Sequence, residues 1–242
     1  NIRLVKLADG KIAYELIDKS LENTVIANNT VSNPKASKAI NISLSDGSKV
    51  WLNAGSSISY PVLFTGTERK VSLQGEGYFE VTKVNLPNGG PVQKFMVEAG
   101  STTTEVLGTR FNINAYNDDN DVKVTLLEGS VALSSGSSKV NIKPGQQAKA
   151  QGGGISINNH VNMDEVMAWK NGFFQFDNTR IEEVMNQIAR WYNVDVDYPQ
   201  GVPKNKYWGS IRRDQKLEDV FKVLQESGAH FKINGNKVTV LP

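Results

Sequence analysis

For its first 160 residues this chain never sustains a helical period. Apolar and polar side chains alternate in short runs, and clusters of Gly, Asn, Asp and Ser break those runs every few residues. A helix needs apolar positions recurring every three to four residues over roughly ten or more, whereas a half-buried strand needs only alternation over about four to eight. VSLQGEGYFEV at 71–81, FNINAY at 111–116 and VKVTLLEGSVAL at 122–133 follow the strand rule. Strands and turns are therefore expected from residue 1 to about 160.

Asp9-Gly10 and Asp46-Gly47 each sit between apolar strands, and both residue types tolerate the positive φ of a tight hairpin turn. Two hairpins are predicted there. VKLADGKIAYEL at 5–16 and ISLSDGSKVWLN at 42–53 share a Leu-x-Asp-Gly core. That likeness is either a weak internal repeat or two examples of a common turn.

The pattern changes near Met163: 16 of the 21 glycines lie in residues 1–165, and helical periodicity appears only afterwards. AQGGGISINN at 150–159 suits a flexible turn or connector, because Gly carries no Cβ restriction. The expected domains are thus 1–160, rich in β, and 161–242, of α+β type. In the second, Ile181, Val184, Met185, Ile188 and Trp191 or Tyr192 make one face of a helix, with Thr179 and Glu182 as its capping box. Leu217, Val220, Phe221 and Leu224 repeat that face 36 residues later, stopped by Ser227-Gly228. Strand candidates FFQF (173–176), VDVDY (194–198), WGSI (208–211), HFKI (230–233) and KVTVL (237–241) flank the helices, and Asn234-Gly235 turns the last hairpin. The order β-α-β, β-α-β-β predicts two helices packed on one face of a small sheet.

Composition narrows the function. With 39% hydrophobic residues the chain can bury a core, and 27 basic against 25 acidic residues give no field to capture nucleic acid. There is no Cys, so neither disulfides nor thiolate metal sites form. No window approaches the ~18 apolar residues of a membrane span. The chain starts at Asn1 with no signal-like segment, as expected for a soluble fragment of a longer protein.

Enzyme signatures are missing. His160 and His230 are 70 residues apart, too isolated for a two-His metal centre, and no nucleophile elbow, zinc helix or phosphate loop occurs. Gly75-Glu76-Gly77 lacks the third glycine of a dinucleotide site, and Asp118, Asp119 and Asp121 read as a solvated loop tip or a calcium loop. Neither cofactor nor metal is expected. Trp51, Tyr60, Tyr78 and Phe79 would suit a sugar-stacking face as well as a core, and Glu76 with Glu80 is the only carboxylate pair within a motif. A secreted glycan-binding β protein is the alternative these residues leave open.

DGSKVWLNAGSSISYP at 46–61, GEGYFEV at 75–81, VLGTRFNINAY at 106–116, LLEGSVAL at 126–133 and KPGQQA at 143–148 together closely resemble the periplasmic region of the FecR family of membrane-anchored anti-sigma regulators. AWKNGFFQF at 168–176 and ARWYNVDV at 189–196 resemble the C-terminal domain of members from Bacteroidetes. SNPKASKAINI at 32–42 departs from the Thr-Pro-rich approach of that family. The resemblance implies a mainly β protein: a twisted, solenoid-like FecR domain, then a small β-α-β repeat domain similar to the signalling domains of secretins and TonB-dependent transporters.

It further implies the periplasmic part of a single-pass inner-membrane protein, a relay rather than a catalyst. Its partners would be the signalling domain of an outer-membrane TonB-dependent transporter, carrying an iron chelate or a glycan, and an extracytoplasmic-function sigma factor bound through a cytoplasmic region. A small open sheet accepts a partner strand at its margin, so Val238 and Val240 on the last strand, with Tyr207 and Trp208 as aromatic anchors, are the expected partner-binding residues. Some relatives self-cleave at a Gly-Thr bond in a motif similar to VLGTRFNI. Gly108-Thr109 occupies that position, as a cleavage site or as plain strand punctuation.

Overall fold

The computed structural model describes residues 2–6, 12–16, 27–226, 228 and 230–242. Strand takes up 50% of the chain and helix 14%, so the protein is mainly β. It divides into two compact units, one of residues 1–33, 40–52 and 56–161, the other of residues 34–39, 53–55 and 162–242.

In the first unit β1 (Ile2–Lys6) and β2 (Ile12–Leu16) pair antiparallel, while the Asp9-Gly10 turn expected between them lies outside the described residues. There follow β3 (Asn28–Asn33), β4 (Ile40–Ser43), β5 (Lys49–Leu52), β6 (Ser56–Pro61), β7 (Glu68–Glu80), β8 (Lys94–Ala99), β9 (Thr102–Val106) and β10 (Arg110–Ala115). β11 (Val122–Glu128), β12 (Val131–Ser135), β13 (Ser138–Ile142), β14 (Gln147–Gln151) and β15 (Gly154–Asn158) complete one thirteen-stranded sheet running from β3. The Asp46-Gly47 turn forms as expected: Leu44 N–H donates to Ser48 O (2.8 Å) and Gly47 N–H to Leu44 O (3.0 Å). The glycine run at 152–154 closes the β14–β15 hairpin.

β7 is the spine of this unit. Its first half pairs with β6 and, in parallel, with β8; its second half pairs with β5 and β10. Between the halves stands Gly75 at φ +83°, where a Cβ would fall 2.5 Å from Ser56 Oγ and 2.9 Å from Ser56 Cα. Only glycine fits that close approach. The Gly-Glu-Gly stretch is thus a bend in a long strand. Alternate residues from both wings meet in one core, including Val50, Ile58, Leu73, Phe79, Phe95, Phe111 and Leu126. Phe79 stacks on Phe111 at 5.0 Å within its own wing and meets Phe95 of the other edge-on at 6.4 Å.

The second unit runs α1 (Met163–Met167), β16 (Phe173–Arg180), α2 (Ile181–Tyr192), β17 (Asp195–Asp197), β18 (Lys206–Arg212), α3 (Leu217–Gln225), β19 (His230–Asn234) and β20 (Lys237–Leu241). The short α1, capped by Asn162 Oδ1 on the Asp164 and Glu165 N–H groups, has no apolar stripe long enough to announce it. α2 buries Ile181, Val184, Met185 and Ile188 as its periodicity requires, each worth about 1.5–3 kcal/mol. Its capping box does not form. Arg180 is the N-cap residue, and the Thr179 hydroxyl instead donates to Glu165 Oε1 (3.1 Å) and accepts from the Asp177 N–H (3.0 Å). α3 buries Val220, Phe221 and Leu224, and of the expected stop Ser227 lies outside the described residues.

The strands correct the expectation of a single small sheet. They form two: β16 with β18, and β17-β20-β19. Each sheet takes strands from both halves of the unit, because β17 pairs in parallel with β20 and β16 pairs antiparallel with β18. β20 is consequently the middle strand of its sheet, and the expectation that Val238 and Val240 mark a free margin is corrected. Alternation reveals which side chains go inward, not which strands lie alongside.

Candidate functional site

The connections after β4, β7 and β9 of the β-rich unit gather around Arg69. Period-2 alternation puts Arg69 in phase with Val71 and Leu73, facing inward, and it is fully buried. Its Nη1 donates to Asp46 Oδ2 (2.6 Å) and Thr82 O (2.7 Å), and its Nη2 to Gln93 O (2.7 Å) and Leu107 O (3.4 Å). Asp46 also accepts from the Ser48 N–H (2.9 Å) and hydroxyl (2.7 Å). One carboxylate and three carbonyls meet the two terminal nitrogens of this buried cation, its Nε has no hydrogen-bond partner among the described residues, and the cluster ties separate chain segments together. Sequence reasoning missed this residue, although its phase relative to Val71 was a usable signal.

Gly108-Thr109 lies beside this cluster. Thr109 is buried, and its Oγ1 donates to Ser130 O at 3.0 Å. Gly129, at φ +98°, lets the facing turn close in, since a Cβ there would stand 2.8 Å from Thr109 Oγ1 and 3.0 Å from Gly108 O. Neither Gly108 nor Thr109 has a positive φ. Both residues line a groove of about 380 Å³ together with Lys49, Glu80, Arg110 and Glu128. Those four side chains stand in register across β5, β7, β10 and β11 and alternate in sign, and Arg110 reaches Glu128 at 3.0 Å. A ladder that compensates itself presents no net charge to a ligand.

The aromatic residues of the glycan alternative do not form a platform. Phe79, Tyr60 and Tyr78 are buried, and Trp51 is half-buried, tilted against Tyr78 at 5.5 Å. Glu76 accepts from Asn112 Nδ2 (3.0 Å) and Glu80 from the Tyr78 hydroxyl (3.3 Å). Four residues apart on one strand, at ~3.3 Å per residue, the two carboxylates are about 13 Å apart along the backbone, beyond the spacing of glycosidase pairs. Asp121 is held by Lys149 at 2.6 Å and Lys123 at 3.7 Å. Among the described residues no group of His, Cys, Asp or Glu is arranged to hold a metal ion, and no helix is long and apolar enough to cross a membrane.

Burial raises four tyrosines, Tyr192 among them. Burial, followed by the Glu80 carboxylate beside it, pushes Tyr78 up to about 12, burial and Glu182 do the same for Tyr198, and burial alone does so for Tyr207. A folded-state value above the unfolded one means their stabilising contribution is intact below pH 10, the unfolded value, and lost as pH climbs to about 12. A spectrophotometric phenolate titration is expected to show ionisation extending to about pH 12, with stability falling across that window. Tyr78→Phe is expected to remove one late group and nothing earlier.

Of the four expected partner-binding residues, the second unit separates one from three. Tyr207, Val238 and Val240 belong to its core with Phe174, Val184, Ile188 and Phe221. Trp208 is 64% exposed, on the opposite face of β18 from Tyr207. The free margins among the described strands are instead those of β17, β19 and the two-stranded β16–β18 sheet.

Comparison with known proteins follows this division. The profile of the FecR protein family matches residues 31–132, and that of FecR, C-terminal, matches residues 173–240. No curated protein is a significant match. Two crystal structures of a protein from Parabacteroides distasonis ATCC 8503 assigned as an anti-sigma factor, at 1.65 Å and 2.50 Å resolution, are each 27% identical to this chain. Each superposes with a TM-score of 0.78 and covers 88% of this chain and 98% of that one. The family is regulatory, and its members are membrane-anchored periplasmic sensors. With both profiles in chain order and more than half of its residues between them, this chain belongs to the FecR family of anti-sigma factors.

Proposed function

We propose that this chain is the periplasmic sensor portion of a single-pass inner-membrane anti-sigma factor. In this reading the signalling domain of a TonB-dependent outer-membrane transporter docks on it, and an extracytoplasmic-function sigma factor is controlled through a cytoplasmic region beyond this sequence. Residues 1–160 are the FecR-type domain, a twisted solenoid-like stack, and 161–242 the β-α-β signalling-type domain that receives the partner.

The observation that carries the reading is the ordered pair of family matches over 31–132 and 173–240. An exposed tryptophan on a sheet with unpaired margins supports docking at the second unit, since interface energy concentrates on such residues and open strands accept a partner backbone. Pull-down of the signalling domain of a cognate TonB-dependent transporter tests it. Retention by this chain is the expected result, and no association with or without the transported ligand contradicts it.

Gly108-Thr109 reads as strand punctuation. An N-to-O acyl shift needs a strained peptide and a hydroxyl free to attack the preceding carbonyl, whereas Thr109 Oγ1 is bonded to Ser130 O and the backbone has no positive φ there. Intact mass after purification is expected to give one species of 26.6 kDa. Two fragments summing to that mass overturn this reading.

A further inference from the structure

The exposed face of β18 carries one chemistry along its length. Lys206, Trp208, Ser210 and Arg212 alternate with the inward-facing Tyr207 and Ile211, and the exposed Lys204 precedes them in the chain. No carboxylate belongs to this row. Of the nearby acids, Asp214 is bound by Arg212 (2.7 Å), Asp177 accepts from Asn162 Nδ2 (3.2 Å), and Glu182 and Glu183 are engaged by Arg180, the residue in register with Lys206. Lys204 and Lys206 have no carboxylate partner among the described residues. They precede the most exposed large apolar side chain described, Trp208, and Lys206 lies next to it on the same face of β18.

We propose that this row docks an acidic polypeptide segment of the partner protein, its carboxylates meeting Lys204 and Lys206 and an apolar side chain covering the Trp208 indole. Two unneutralised ammonium groups beside an uncovered indole leave an unmet charge and an unmet apolar surface on one strand face. An extended segment of the pattern acid-x-acid-x-apolar satisfies both, because every second side chain of such a segment faces the same way, at the spacing of those on the exposed face of β18. The two contributions act differently: the lysines steer encounter and register, and the indole supplies the desolvated centre. The inference rests on the partner-docking reading above and adds to it the face used and the charge of what binds.

The test follows Trp208 emission, isolated by subtracting the Trp208→Phe spectrum, in the full chain. The probes are the signalling domain of a cognate transporter, a synthetic peptide of the pattern Glu-Ser-Glu-Ser-Val, and phosphatidylglycerol vesicles. The expected result is a blue shift with the signalling domain, competed by the peptide and weakened by salt. Lys204→Glu/Lys206→Glu and Trp208→Ala, checked for unchanged circular dichroism, are each expected to lower affinity about tenfold or more. Binding of the signalling domain with no shift and unchanged affinity in both variants overturns the assigned face while the partner reading stands. If the signalling domain does not bind at all, the partner reading fails, and the face is upheld by a shift with the peptide and overturned by its absence. A shift with vesicles alone overturns it in favour of a lipid surface.

Discussion

Arg69→Ala is expected to destabilise the β-rich unit by about 3–5 kcal/mol, the cost of leaving one member of a buried ion pair uncompensated. The Arg69 side chain is fully buried and that of Asp46 is 5% exposed, so water cannot replace the lost guanidinium at the carboxylate. Three carbonyls, of Thr82, Gln93 and Leu107, lose a donor at the same time, and Phe95 loses the cation 5.3 Å from its ring centre. At roughly 2–4 °C per kcal/mol for a unit of this size, thermal unfolding is expected to shift down by about 6–20 °C. Arg69→Lys keeps the charge without the planar fork and is expected to fall between. The double change Asp46→Leu/Arg69→Met removes both charges and is expected to cost much less than Arg69→Ala. A loss under about 1 kcal/mol for Arg69→Ala contradicts the clamp.

The second large effect is expected from Phe174→Ala. Phe174 is fully buried on β16, stacked along Phe176 at 6.3 Å, edge-on to Trp191 at 6.5 Å, with the Arg213 guanidinium 4.6 Å from its ring centre. Arg213 in turn donates from Nε to Phe173 O (3.0 Å), and its own carbonyl accepts from Trp191 Nε1 (2.8 Å). Truncation leaves a cavity where β16, α2 and the turn after β18 converge, at about 3–5 kcal/mol. Amide exchange in α2 is expected to quicken by roughly a hundred- to a thousand-fold or more, at tenfold per 1.4 kcal/mol. An increase under about tenfold contradicts the packing role.

How much of this was readable beforehand depends on whether the signal is local. The stripes of α2 and α3 and the Asp46-Gly47 turn are set by neighbours within a few residues, and they appear where the periodicity and turn chemistry place them. Strand partners are not local. KVTVL alternates identically at a margin or in the middle of a sheet, so Val238 and Val240 were legible as inward-facing but not as belonging to a central strand between β17 and β19. Thr179 fitted a capping box and was taken by Glu165, a contact 14 residues back along the chain. Arg69 was hidden by its type: flanked by Glu68 and Lys70, it looks like part of a solvated charge run until its phase with Val71 and Leu73 is followed. Trp208 was legible as an aromatic on a strand, and its exposure follows from lying opposite in phase to Tyr207.

Hydrogen exchange of this chain with and without the signalling domain of a cognate transporter tests the central claim most directly, because it reports where a docked partner shields backbone amides. Slowed exchange concentrated within residues 173–241, strongest on β18 or a margin strand, is the expected result. Slowing confined to residues 31–132, or none at saturating partner, contradicts a sensor that receives its signal through the second unit.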